Sequence, residues 1–436
     1  MPLADPTALR AALEQALPER PFGVRWWDGA LTPPTNGATG GAGLTFSVRS
    51  PRAVAHALRA PGQLGLGRAY VAGELEVDDV DATLDLLDDW SPPILDRATK
   101  LRLAAAAVRA AGLTRPPPRP ATELRPRGRR HSPARDRRSV RHHYDVGDAF
   151  FALFLDASMT YSCAIFSRGA TTLEEAQRAK LELVAAKLRL AEGRRVLDVG
   201  CGWGSFALHA AGEHGAHVTG VTLSDNQAVT ARRRAVEAGL GDRIDIRVAD
   251  WRELQEEPFD AIASIGMVEH VGSANIDAYA ARLADLLRPG GLLLNHGIAR
   301  LRHTDPEAGP FSERFVFPDT APLHLSRITF ALERAGLVSE HAEGFAADYA
   351  ETLRHWARRL DAHPDEALRL AGAERLRVWR LYLRAARRGF ESGFTSVYQV
   401  LARRPDAARR SLGSAAEPAP VAAHRGGREV GVGLTP

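Results

Sequence analysis

Residues 194–204 read Arg-Arg-Val-Leu-Asp-Val-Gly-Cys-Gly-Trp-Gly, an apolar stretch that runs into three alternating glycines ahead of the helix-like 205–211. Val196, Leu197 and Val199 suit a buried parallel strand, and Gly200, Gly202 and Gly204 lack the Cβ atoms that would hold a ligand away from the backbone. The chemistry this arrangement supports is the docking of a nucleoside cofactor. The spacing is G-x-G-x-G, not the G-x-G-x-x-G of dinucleotide folds, and Asp198 precedes the first glycine, which favours S-adenosylmethionine over NAD. Glycine-rich strand-to-helix turns also serve packing alone, so the motif has to be weighed with its surroundings.

Those surroundings are four further apolar runs with polar ends. Residues 217–223 end where a Rossmann-like sheet presents the ribose, with no acid at the tip, which leaves Thr222, Leu223 and Gln227 as the candidate contacts. Residues 244–248 end at Asp250 and Trp251, a carboxylate able to accept from an adenine amine and an indole able to stack on the ring. Residues 259–265 lead to Gly266-Met-Val-Glu269-His270, and 291–295 lead to His296. Strands alternating with helical stretches predict an α/β sheet, and five polar strand tips in chain order make one site.

Beyond the glycine turn, His143-Tyr-Asp-Val-Gly-Asp, Ser158-Met-Thr-Tyr-Ser-Cys-Ala, Val221-Thr-Leu-Ser, Gly266-Met-Val-Glu-His-Val-Gly, Phe315-Val-Phe-Pro and Tyr382, Gly389-Phe and Tyr398-Gln399 follow in order. On these motifs residues 139–401 resemble the cyclopropane-fatty-acyl-phospholipid synthases and related mycolic acid methyltransferases. A fainter likeness reaches 20–80 through Ala69-Tyr-Val-Ala-Gly-Glu-Leu-Glu-Val-Asp. The resemblance implies a Rossmann-like class I methyltransferase sheet with a helical cap. It also implies methylene transfer from S-adenosylmethionine to the cis double bond of an acyl chain in a membrane phospholipid, through a carbocation deprotonated with the help of a bound bicarbonate ion. Cys163, Glu269, His296, Ile298 and Tyr349 match the family's bicarbonate-holding positions, and Tyr161 and Ser162 match cofactor-contacting ones. Each has an ordinary reading alone: a buried small hydrophobe for Cys163, a satisfied core histidine for His296, a stacked ring for Tyr349. Asn-His-Gly-Ile around His296 and Asp348-Tyr349 depart from the family's commoner His-Thr-Ile and His-Tyr. The product is therefore open between a cyclopropane and a 10-methylene chain, the latter calling for a reductase partner. A methyltransferase of small soluble acceptors is a further alternative. A homodimer rests on the resemblance alone.

Composition bounds the rest. At ~150 residues per domain, 436 residues suggest two or three units. No run of 18 uninterrupted apolar residues occurs and the N-terminus lacks a signal-peptide layout. Cys163 and Cys201 are the only cysteines, which fits a reducing cytosol, with peripheral association at the inner face of the membrane to reach the lipid. Residues 1–114 read as a small α+β accessory domain, with strands near 22–27 and 44–48 and helices near 51–60 and 96–111. Residues 115–138 read as an Arg/Pro-rich linker, 139–404 as the methyltransferase domain with a helical cap over 310–401, and 405–436 as a disordered tail. Ten arginines against two acids between Arg115 and Arg141 could face anionic headgroups, at about 1 kcal/mol per basic residue. Nucleic acid is not expected, because no aromatic recognition motif accompanies the run.

Overall fold

The computed structural model describes residues 5–35, 43–112, 117–125, 128–144, 146–302, 304 and 309–406. The tail expected from 405 lies almost wholly outside them.

The N-terminal unit comprises α1 (Thr7–Ala16), β1 (Gly23–Arg25), β2 (Leu31–Thr32), β3 (Thr45–Val48), α2 (Pro51–Arg59), α3 (Gln63–Val71), β4 (Leu75–Val77), α4 (Val80–Asp89) and α5 (Arg97–Ala111). Its strands form one sheet in the order β2-β1-β3-β4. Phe22, Val24 and Trp26 bury against Leu9 of α1 and the alanine face of α5. α2 starts where the extended Ser50 accepts the Arg52 N–H ahead of a first-turn proline. α3 escaped the sequence pattern because Gly65 and Gly67 interrupt it; a Cβ at Gly67 would run into the Phe311 ring, so the glycine exists for close packing.

The segment expected to be a free linker is pinned down. Glu123 is 1% exposed and grips Arg68 of α3 through paired contacts of 2.7 and 2.5 Å, while Thr122 bonds Glu374 and the Leu124 N–H bonds the Arg314 carbonyl. The boundary expected at 138/139 falls inside α6 (Pro133–Tyr144). Three arginines of the run pair with acids of the catalytic unit: the part-buried Arg135 holds Asp319, while Arg141 and Arg137 reach Asp225 and Glu253 at the surface. Those pairs leave fewer cations for lipid headgroups than the sequence count suggested. Glu123→Ala would strand the buried Arg68 guanidinium, and a loss of about 3–5 kcal/mol in unfolding free energy is expected from urea denaturation. Wild-type stability in that variant would mean the pair does not fasten the segment.

After α6 come α7 (Asp148–Ala152), α8 (Leu173–Lys187), β5 (Arg195–Val199), α9 (Ser205–His214), β6 (His217–Thr222), α10 (Asp225–Glu237), β7 (Ile244–Val248), β8 (Phe259–Ile265), α11 (Ile276–Asp285) and β9 (Leu287–Arg300). They are followed by α12 (Pro310–Phe315), β10 (Leu323–His324), α13 (Leu325–Arg334), β11 (Val338–Gly344), α14 (Ala346–Ala362), α15 (Pro364–Glu391) and β12 (Thr395–Arg403). The main sheet runs β11-β12-β9-β8-β5-β6-β7, with β10 pairing off β9. β5 to β9 are mutually parallel, as the alternating pattern predicts, and every residue of β8 up to Ser264 is buried.

The region read as a helical cap does supply helices, but it also adds β11 and β12 as antiparallel strands. β11 is a mostly exposed edge strand with polar residues, so no apolar alternation announced it. β9 is also longer than expected. His296 and Ile298 sit inside it, opposite Gln399 and Val397 of β12, not beyond its tip. α4 of the N-terminal unit clasps α15 through Asp81 with Arg384 and Arg387, and through Asp85 and Asp88 with Arg388. Among the described residues no helix is long and apolar enough to cross a membrane.

Candidate functional site

The ends of β5, β6 and β8 open onto a cleft of about 130 Å³. Gly200 and Gly202 line it at φ 81° and 55°, a left-handed backbone that a side chain disfavours. Thr222, Leu223, Gln227, Trp251 and Gly266 line it too. Gly204 does not reach it; at φ 82° it starts α9 and packs against Ala231. The Thr222 hydroxyl donates to Gln227 Oε1 at 2.7 Å, and Gln227 also meets the Tyr144 hydroxyl. Asp198 lies buried just below, its Oδ2 without a hydrogen-bond partner, and burial pushes its pKa up to about 7. Lys180 of α8, 1% exposed and drawn down to about 8 by burial, lies within electrostatic reach of it and donates to Ser162 Oγ at 3.0 Å.

Asp250 departs from expectation. Its carboxylate is fully covered and held by Arg252, Nε to Oδ1 at 2.8 Å and Nη2 to Oδ2 at 2.6 Å, so Arg252 faces the cleft in its place. The guanidinium stands 5.4 Å from the Trp251 ring. Tyr161 and Ser162 also lie off the cleft: the Tyr161 hydroxyl pairs with Tyr382 of α15, and Ser162 faces Lys180.

The five remaining residues lie behind the cleft, in the interior between β9 and the cap. The Gly266 N–H at the cleft wall bonds the His296 carbonyl at 2.8 Å, joining the two regions. The Glu269 carboxylate accepts the Ile298 backbone N–H, leaving Oε2 buried with no partner, and burial pushes its pKa up to about 7. Cys163 is fully buried with Sγ 3.2 Å from the Ala164 carbonyl, its thiol pushed up by burial and by Asp348. Tyr349 packs at a tilt against Phe390, ring centroids 4.6 Å apart, and lies within electrostatic reach of Cys163 and Glu269.

His296 has the most fully determined state. Lys187 Nζ donates to Gln399 Oε1 at 2.7 Å, which orients the amide so that Gln399 Nε2 donates to His296 Nδ1 at 3.1 Å. With Nδ1 accepting, the ring proton belongs on Nε2, which is buried and unpartnered. Burial and the nearby Lys180 and Lys187 hold the ring's pKa down to about 3, so it is neutral.

Sequence reasoning missed several participants. His143 and Tyr144 of α6 line the cleft, with Phe317 stacked on His143 at 4.2 Å. The His143-Tyr motif was the available signal; it marks the resemblance, and sequence reasoning gives it no role in the site. Rings of Phe151, Tyr161, Trp356 and Trp379 fill the space toward the cap, with Tyr161 5.2 Å from Trp356. Trp203 is a packing residue, its indole N–H bonded to Asp148 at 2.8 Å.

Comparison with known proteins identifies the family and the fold. The chain is 40% identical over 388 residues to a probable fatty acid methyltransferase of Mycobacterium tuberculosis, covering 85% of this chain and 90% of that one. It is 34% identical over 365 residues to the cyclopropane-fatty-acyl-phospholipid synthase of Escherichia coli K12, covering 83% and 88%. The solved structure of mycolic acid cyclopropane synthase CmaA1 complexed with SAH and CTAB superimposes with a TM-score of 0.58 at 32% identity, over 61% of this chain and 98% of that one. Residues 131–400 match the family described as mycolic acid cyclopropane synthetase. A glycine-walled cleft on a class I sheet, with those relatives, makes this chain an S-adenosylmethionine-dependent methyltransferase that belongs to the mycolic acid cyclopropane synthetase family.

Proposed function

We propose that the protein transfers a methylene group from S-adenosylmethionine to the cis double bond of an unsaturated acyl chain in a membrane phospholipid, forming a cyclopropane ring with bicarbonate-assisted deprotonation. The observation that carries this reading is the buried donor set behind the cleft, where Glu269 Oε2 and His296 Nε2 both lack a protein partner. Unpartnered polar atoms in an interior are costly, and a small anion accepting from both would satisfy them.

Gly200 and Gly202 fit a nucleoside, since no Cβ obstructs the cleft, and the free Oδ2 of Asp198 suits an amine. Bound together, the two groups supply an electrophilic methyl and a base for one of its protons. His296 offers a neutral ring with its Nε2 proton free to donate. Glu269, near its ionisation midpoint at pH 7, can be protonated and donate from Oε2, which removes its charge from beside an anion. Ile298 holds Glu269 through its N–H and so acts through that carboxylate. Tyr349 and Cys163 close the same interior. The faces of Tyr161, Trp356 and Phe151 give a developing carbocation quadrupole stabilisation while excluding water.

Gln399, on this reading, is a positioning residue that sets the His296 tautomer. Gln399→Leu is expected to lower kcat roughly 10–100-fold with little change in KM for S-adenosylmethionine. Nitrogen NMR of His296 should show mixed tautomers in the variant and a single one in wild type; a single tautomer in both would remove that role.

The reaction itself is tested by incubating the protein with S-adenosylmethionine, bicarbonate and vesicles of cis-monounsaturated phospholipid, then analysing the chains by mass spectrometry and proton NMR. A gain of one CH2 with upfield ring protons is expected. Exomethylene protons at the same mass would overturn the cyclopropane product, and no gain would overturn the lipid substrate.

A further inference from the structure

Away from the cleft, three metal-ligating side chains converge between α8 and α9. Nε2 of His209 and Nε2 of His214 each stand 3.1 Å from the same atom, Oε2 of Glu182. All three ligand atoms lie within 4.8 Å of one another. A single hydrogen bond or ion pair would need only one imidazole on that oxygen. Zinc takes imidazole nitrogen and carboxylate oxygen at about 2.0–2.2 Å, so two ligands on a tetrahedral ion stand roughly 3.3–3.4 Å apart. The observed separations are within a few tenths of an ångström of two such edges.

The environment suits a metal as well. The histidine side chains are 10% and 19% exposed and anchored on one helix, whereas Glu182 is 54% exposed and leaves a path from water. Among the described residues, this is the grouping of histidine and carboxylate ligands whose atoms meet this closely.

We propose that Glu182, His209 and His214 form a binding site for zinc or a similar borderline divalent cation, with a remaining position open to water. Two nitrogens and one oxygen select zinc, cobalt or nickel over magnesium and calcium, which require oxygen ligands. The site has a structural consequence. α9 begins at Ser205, directly after the glycine turn, and α8 carries Lys180 within reach of Asp198. A metal at this point clips together the two helices that flank the cofactor-binding strand, without touching the cleft.

The test uses the untagged full-length chain, stripped with EDTA and titrated with zinc chloride by calorimetry, beside His209→Gln, His214→Gln and the double variant. One zinc per chain at micromolar affinity or tighter is expected, with at least a tenfold loss in each single variant and no binding in the double one. Zinc should raise the melting temperature of wild type and leave that of the double variant unchanged, and magnesium should do neither. Methyl transfer without added zinc should be equal in wild type and His214→Gln. His214 closes α9 at its last residue, so His214→Gln carries the comparison even if His209→Gln fails to fold. Equal zinc affinity in wild type and His214→Gln, or no binding by wild type, would overturn the site.

Discussion

Replacing Glu269 with alanine is expected to cut turnover by about 10²–10⁴-fold, the range for losing general-base action, here that of the anion Glu269 holds, while S-adenosylmethionine affinity stays near wild type. The cofactor cleft is lined by other residues, so its affinity should not follow the loss. The Ile298 N–H would lose its acceptor, and the anion its donor from Oε2. The pH dependence has a definite sign. Burial raises the carboxyl's pKa to about 7, so the donating, neutral form is present below that pH and disappears as pH rises through it. The bicarbonate concentration giving half-maximal rate should therefore climb with pH above about 7 in wild type. Steady-state rates across a bicarbonate series at several pH values, with calorimetric binding of S-adenosylmethionine, provide the check. Turnover in Glu269→Ala equal to wild type would remove Glu269 from the reaction, and parallel loss of cofactor affinity would make it a structural residue.

How much of this was readable from sequence follows from how local each signal is. β5 and its glycine turn are legible because a buried strand and a left-handed turn are encoded within eleven consecutive residues. The same holds for β6, β7 and β8. The state of His296 is not legible, because its tautomer depends on Gln399, 103 positions later, and through it on Lys187, 109 positions earlier. Neither strand of that pairing carries a mark of the other. Nothing in the sequence singles out Lys180 or Lys187; only the packing of α8 shows that one is buried and the other braces Gln399. Asp250 misled in the opposite direction, since a carboxylate at a strand tip looks open until Arg252 is seen folded back onto it. α6 was hidden by its composition. Its first half reads as part of an Arg/Pro-rich linker, yet Arg135, Arg141 and Arg137 pair with Asp319, Asp225 and Glu253 of the catalytic unit, and the helix carries His143 and Tyr144 to the cleft. Sequence patterns report what neighbours in the chain do together, and most of the missed features join elements far apart along it, the Asp250–Arg252 pair being the local exception.

Gly202→Val is expected to weaken S-adenosylmethionine binding at least 100-fold, about 3 kcal/mol, with the fold retained. Two effects combine. At φ 55° a β-branched residue is strained, at about 1–3 kcal/mol. The added side chain also meets no protein atom within 4 Å of its Cβ, so it projects into the cleft that the cofactor needs. Gly202→Ala shares most of the strain but adds a single carbon, and should lose less affinity. Gly204→Ala separates the causes further. Its Cβ would stand 3.2 Å from the Ala231 Cβ, inside the packing of α9 against α10, so it should lower stability in denaturant more than it lowers affinity. Calorimetry with S-adenosylmethionine on the three variants, each paired with a urea melt, distinguishes blocked space from strained backbone. Wild-type affinity in Gly202→Val would mean that the glycine turn is not where the nucleoside rests. The buried set around Glu269 would then have to receive its methyl donor from another direction.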